Sequence, residues 1–250
     1  RLLNEIGFRK FKNNEKFFPK KINFYSKNTS NKICELNISE FNSDDCKYTT
    51  LKRSTLIKFL KKDLGSMIKT GFNISKIEQH NKRINLSFEN DETSECDYLI
   101  ISDGVFSKSK NLISKNQTQP RYNDILAIRG TIDKVPENID NKNISLFLGA
   151  NFHQVIYPIN PNGGFNFIAI MKYPLSAKEQ KEHSLFNENS FIKKIFDQVP
   201  LVMKDILNNL NDIKIFPVFV SDDFYQIKND KIYLLGDAFF ALPPSFAQGA

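Results

Sequence analysis

Short alternating runs dominate the chain. The clearest spans 83–89, where Ile84, Leu86 and Phe88 fall on one side and Asn85 and Ser87 on the other, the period of a half-buried strand. Similar runs at 21–26 and 32–38 predict a hairpin, and those at 73–78 and 97–102 predict strands flanking 83–89 across polar turns. Between these groups, 54–64 reads as a helix: Leu56, Leu60 and Leu64 recur every four residues, Phe59 widens the stripe, and Lys58, Lys61 and Lys62 point outward. Residues 2–7 look like the end of a helix stopped by Gly7.

Beyond 120 the pattern turns β-rich. Strands are expected at 125–132, 144–148, 154–159 and 165–171, with Pro161-Asn162-Gly163-Gly164 as the turn between the last two. A helical stretch over 191–209 should break at Pro200, and 214–220 and 231–235 return to strands. No internal repeat is visible. The order predicts two interleaved domains of an α/β fold, α+β in its substrate part. Residues 1–118 with 226–250 would form a nucleotide-binding unit, and 119–225 a mainly antiparallel sheet domain for substrate. A cleft between domains is the usual place for a ligand.

Composition narrows this modestly. With 250 residues, 40% hydrophobic and 25% charged, the chain suits a soluble globular protein. No run approaches the ~18 apolar residues of a membrane span. The net charge of +7 comes from scattered lysines, which argues for a solvated basic surface and against a nucleic-acid partner. Cys34, Cys46 and Cys96 are odd in number and widely spaced, so a reducing, cytoplasmic setting is the default. His80, His153 and His183 lack metal-ligand spacing, and no metal is expected.

Four motifs carry the chemistry. Arg53 stands two residues after Leu51 where the 54–64 helix opens, suited to an anion at a helix N-terminus, although by itself it equally suits an exposed helix-start residue. The apolar run 98–101 ends in Asp103-Gly104, with Ser107 placed to cap a following helix; alone, this is also a plain strand-turn-helix junction. Ile128-Arg129-Gly130 precedes His153-x-x-x-Tyr157-Pro158 and Asn166-Phe167, and His153 and Tyr157 share one face of a strand. They can orient a phenol or simply stabilise a sheet face. Finally, 232–235 delivers Gly236-Asp237, followed by Pro243-Pro244 and Gln248-Gly249.

In this order the motifs resemble the FAD-dependent aromatic-ring monooxygenases, in particular their salicylate hydroxylase-like branch. The resemblance implies a Rossmann-like FAD/NAD(P)-binding domain lacking its first βαβ unit, because no Gly-x-Gly-x-x-Gly occurs, and a chain truncated at both ends. It implies Asp237 on the ribityl chain of FAD, with Arg53, Asp103 and Gly104 near the cofactor. Gly236 is likewise implied to bind the cofactor, Pro244, Gln248 and Gly249 to fall at the isoalloxazine, and His153 and Tyr157 to be candidate substrate contacts. It also implies NAD(P)H as reductant, O₂ added at flavin C4a as a hydroperoxide, a small aromatic (phenolic) substrate, and compatibility with a homodimer. Three departures stand out: Ser102 for Ala or Gly, Lys110 for Arg, and Phe240 for His. The alternatives are a ubiquinone-biosynthesis ring hydroxylase and a flavin-binding protein without hydroxylase activity. The isolated chain, without the glycine-rich phosphate cradle, is expected to bind FAD weakly.

Overall fold

A computed structural model of the chain describes residues 2–43, 46–80, 82–113, 119–199, 201–222 and 229–244. Its helices are α1 (Leu2–Glu5), α2 (Arg53–Lys61), α3 (Lys108–Ile113), α4 (Asn189–Asp197) and α5 (Leu201–Asn208). Its strands are β1 (Lys21–Ser26), β2 (Lys32–Asn37), β3 (Ile74–His80), β4 (Arg83–Phe88), β5 (Thr93–Cys96) and β6 (Leu99–Ile101). They continue with β7 (Arg121–Ile132), β8 (Ile144–Gly149), β9 (Phe152–Pro158), β10 (Phe165–Lys172), β11 (Asn211–Val220) and β12 (Ile232–Leu234). The α/β expectation is borne out. None of the described helices is long and apolar enough to cross a membrane.

The chain divides into two units, Arg1–Gly65 with Asp124–Pro217, and Ser66–Asn123 with Val218–Ala250. Expectation had placed residues 1–65 with the nucleotide-binding part. The difference has a simple cause: the β1–β2 hairpin adds to the large sheet, because β1 pairs in parallel with β8, Ile22 opposite Ile144 and Phe24 opposite Leu146.

The first unit is built on a seven-stranded sheet in the order β11-β7-β10-β9-β8-β1-β2. The β8–β9, β9–β10 and β10–β7 pairs are antiparallel. Alternation decides which side is buried: Phe152, Gln154, Ile156 and Pro158 point inward from β9, while His153, Val155 and Tyr157 lie half-buried on the other face. The inward face continues through Phe167, Ala169, Leu126 and Ile128, all inaccessible. The α5 helix covers part of this face, since Ile206 and Phe147 line one small cavity. The expected helix at 191–209 is two helices, α4 and α5; Pro200 lies outside the described residues. Among the described side chains, Phe191, Ile195, Ile206 and Leu207 are buried.

The leucine stripe predicted for α2 needs correction. Leu60 and Leu64 are more than 40% exposed, whereas Phe59 is 2% exposed. The helix stops at Lys61, and Phe59 packs edge-on against Phe8 (5.2 Å) and Phe11 (5.3 Å). One large ring fixes the helix where the leucines do not. The basic stretch 9–21 also departs from a uniformly solvated surface, because Lys16 is 3% exposed.

In the second unit an antiparallel meander, β3-β4-β5, packs its apolar side on a parallel pair, β6 and β12. Ile84, Leu86, Ile101, Ile232 and Ala238 form the core between them. The β5 strand was missed in the sequence: Thr93-Ser-Glu-Cys96 carries no apolar alternation because it is a largely exposed edge, paired through Ile84↔Cys96 and Leu86↔Ser94. On the far side of the parallel pair, Tyr98, Ile100, Tyr233 and Leu235 are each at least half exposed.

Candidate functional site

The parallel pairing of β6 and β12 is what brings two distant motifs together. Leu99, Ile100 and Ile101 stand opposite Ile232, Tyr233 and Leu234, and the Leu235 N–H donates to the Ile101 carbonyl (2.9 Å). Both strands therefore end at the same edge, one in Asp103-Gly104 and the other in Gly236-Asp237. The carboxyl ends of parallel strands are where open α/β sheets bind ligands. Gly104 (φ 87°) and Gly236 (φ 61°) occupy the left-handed region, and a Cβ built on either meets nothing within 4 Å. The backbone there is open to close approach by a ligand.

Local bonds fix this edge. One Asp103 carboxylate oxygen accepts from the Ser109 N–H (3.2 Å), and Ser107 Oγ accepts from the Lys110 N–H (3.0 Å) as the cap of α3. Asp237 is exposed on a 3-10 turn, Gly236–Ala238, anchored by the fully buried Ala238. Phe240 is half-buried and its N–H donates to the Gly236 carbonyl (3.0 Å). Lys110, which stands where the resemblance expects Arg, is 5% exposed. Pro244 is exposed, and Gln248 and Gly249 lie outside the described residues.

The first unit carries the remaining residues. Arg53 is the exposed first residue of α2. His153 and Tyr157 share the half-buried sheet face, as their spacing requires. The register adds neighbours that the sequence did not reveal: Tyr157 stands opposite Asn166, and Asn166 opposite Thr131. Val155 stands opposite Ile168 and Ile168 opposite Arg129, so Arg129 belongs to the same face one step away.

Burial pushes the Tyr157 phenol up; Arg129 pulls it down and Tyr48 adds to the rise, leaving it raised and protonated. Burial lowers His153. The face thus offers a neutral imidazole, a phenol donor and a cation, suited to a ring that bears hydroxyl or acidic groups. The register places the motif residues Arg129 and Asn166 on this face, and Tyr48, which the sequence did not single out, acts on Tyr157 electrostatically.

No family model matches the chain. Zeaxanthin epoxidase from an Oncidium hybrid cultivar is 22% identical over 204 residues, covering 80% of this chain and 30% of that protein. The Arabidopsis thaliana enzyme is also 22% identical, over 205 residues, with 80% and 29% covered. The chain thus spans about a third of the length of these curated relatives. Among solved structures, 2,6-dihydroxypyridine-3-hydroxylase from Arthrobacter nicotinovorans superposes with a TM-score of 0.77 at 13% identity, covering 99% of this chain and 67% of that one. HpxO of Klebsiella pneumoniae, complexed with FAD and uric acid, gives 0.75 at 16% identity, with 93% and 60% covered. A salicylate hydroxylase substrate complex gives 0.75 at 14%, with 99% and 65% covered. The motif order and the architecture agree: the chain has the fold of the FAD-dependent aromatic-ring monooxygenases.

Proposed function

We propose that this chain is part of an FAD-dependent monooxygenase that hydroxylates a small phenolic substrate with NAD(P)H and O₂. The observation that carries the reading is the convergence of Asp103-Gly104 and Gly236-Asp237 at the carboxyl ends of paired parallel strands, within a fold shared with FAD-complexed proteins. The residues fit the cofactor: two exposed carboxylates can accept ribityl or ribose hydroxyls, and two glycines leave the backbone uncovered. Bound FAD supplies hydride acceptance and oxygen activation, chemistry that needs no protein nucleophile.

The chain's own residues bind and orient. Asp237 and Asp103 would hold hydroxyl groups of the cofactor, Arg53 would meet a phosphate, and Pro244 would face the ring system; the assignment of Gln248 and Gly249 to the same part of the cofactor falls outside the described residues. On the sheet face, Tyr157 donates to a substrate oxygen and neutral His153 accepts from a phenol, next to the Arg129 charge. A half-buried setting strengthens these contacts by excluding water.

Two measurements test the reading. Replacing the carboxylate in Asp237→Ala should weaken FAD binding about tenfold or more, roughly 1.4 kcal/mol, as read by flavin fluorescence quenching. Unchanged affinity would remove Asp237 from the cofactor site. In the full-length parent, a phenol should accelerate NADH or NADPH oxidation with hydroxylated product; flavin binding without such stimulation would leave a flavin-binding protein only. The 22% identity with zeaxanthin epoxidase favours one second reading, oxygen insertion into a carbon–carbon double bond. Product analysis separates the two, since an epoxide and a new ring hydroxyl differ in hydrolysis and spectrum.

A further inference from the structure

Lys16 is the most buried basic residue among those described, at 3% exposure, and no carboxylate pairs with it among the described residues. Its Nζ donates to the Phe8 carbonyl (3.3 Å) and lies over the Phe8 and Phe18 rings at 5.1 and 5.9 Å. An ammonium has three donors, and one long bond to a carbonyl leaves most of its hydrogen-bonding capacity unused. Taking an unpaired charge out of water is costly unless something of opposite sign meets it. Burial lowers the lysine.

The same lysine lines a cavity of about 410 Å³, within the usual size range for small-molecule sites. Leu3, Phe8, Phe18 and Leu51 give it apolar walls, while Lys47 adds a further cation. No carboxylate occurs among its described lining residues. None of these residues belongs to the proposed flavin or phenol contacts.

We propose that this cavity is a second small-molecule site, which binds an organic carboxylate through Lys16 and Lys47 and seats its apolar body between Leu3, Phe18 and Leu51. The rings beside the ammonium make the position favourable for a cation when empty, and a carboxylate completes it when filled. The site does not depend on the oxygenase reading, because neither FAD nor a reductant enters it.

Cys46 also lines the cavity and is a free, exposed thiol, while Cys34 is an exposed thiol on β2 that does not line it. Alkylation of the two by iodoacetamide, resolved by mass spectrometry, therefore reports occupancy with an internal control. Octanoate should slow Cys46 modification saturably, at least fivefold, with Cys34 unchanged. Lys16→Met should raise the half-effective octanoate concentration at least tenfold. No protection of Cys46 at about 10 mM octanoate, a range where only binding weaker than millimolar escapes detection, overturns the proposal. Equal protection by 1-octanol overturns the role of the charge, and equal protection by inorganic phosphate overturns the role of the apolar body. Should Lys16→Met lose its native circular dichroism, the exposed Lys47→Gln carries the test: about threefold weaker protection supports the site, and unchanged protection refutes it.

Discussion

Gly130, the second residue of the Arg-Gly pair on β7, offers the sharpest check on the packing. Its backbone is not in the left-handed region, so an alanine there meets no conformational penalty. The obstacle is steric: a Cβ would lie 3.0 Å from the Asn211 carbonyl oxygen and 3.3 Å from both Cβ and Cδ2 of Leu210. Replacing a strand glycine by alanine ordinarily gains about 0.5–1 kcal/mol. Forcing a methyl into a filled space ordinarily costs about 1–3 kcal/mol. Backbone oxygen cannot swing aside as a flexible side chain does, so the second effect should win. Gly130→Ala is expected to lose about 1–2 kcal/mol. At ~2–4 °C per kcal/mol for a chain of this size, the melting temperature should fall by roughly 2–8 °C. Urea denaturation followed by circular dichroism at unchanged m-value measures it directly. In a Leu210→Ala background the penalty should shrink only in part, since the Cδ2 contact vanishes while the Asn211 oxygen and the Cβ of residue 210 keep it above zero. A Gly130→Ala protein as stable as the parent, or more so, would refute the account of how β11 approaches β7.

Other outcomes follow from single residues. Phe59→Ala should cost about 3–5 kcal/mol, because it empties the ring cluster with Phe8 and Phe11 that positions α2; a loss below that of an exposed substitution would show the cluster to be idle. Gln154 is wholly buried with neither amide atom hydrogen-bonded, so Gln154→Leu should gain about 1–3 kcal/mol in urea unfolding, and a loss would mean the amide holds a buried water. Burial lowers His153. Its contribution to stability is therefore full above the unfolded value near ~6.5 and falls away as pH drops through the depressed folded value. His153→Phe should flatten that part of the stability profile between pH 7.5 and 5, and identical profiles for the two proteins would contradict the assignment.

Much of the fold was legible because its strands are half-buried. The alternation of 83–89, 154–159 and 165–171 is imposed by one wet and one dry face, and that constraint is written locally. The reading failed where burial is decided by distant chain. Nothing in 53–61 says that Phe8 and Phe11 will arrive to select Phe59 over Leu60, and Thr93–Cys96 is a strand only because β4 offers it an edge. The division into units went differently for the same reason, since the partner of β1 lies more than a hundred residues away in β8. At the candidate site, Asp103, Gly104, Gly236 and Asp237 were found because turn geometry demands glycine beside the acidic residue. Arg129 and Asn166 stood in a motif, but only register shows that they share a face with Tyr157, and Tyr48 escaped because its approach to Tyr157 is tertiary.

The β6–β12 pair has a consequence for synthesis. More than a hundred residues separate Ile101 from Ile232, and at ribosomal speeds of about 5–20 residues per second the first strand emerges roughly ten seconds before its mate. The β3-β4-β5 meander can shelter one flank of the waiting strand meanwhile, but the backbone edge that β12 will pair stays open. Slowing translation across 102–231 should therefore lower the yield of folded product, while faster passage or added holdase should raise it.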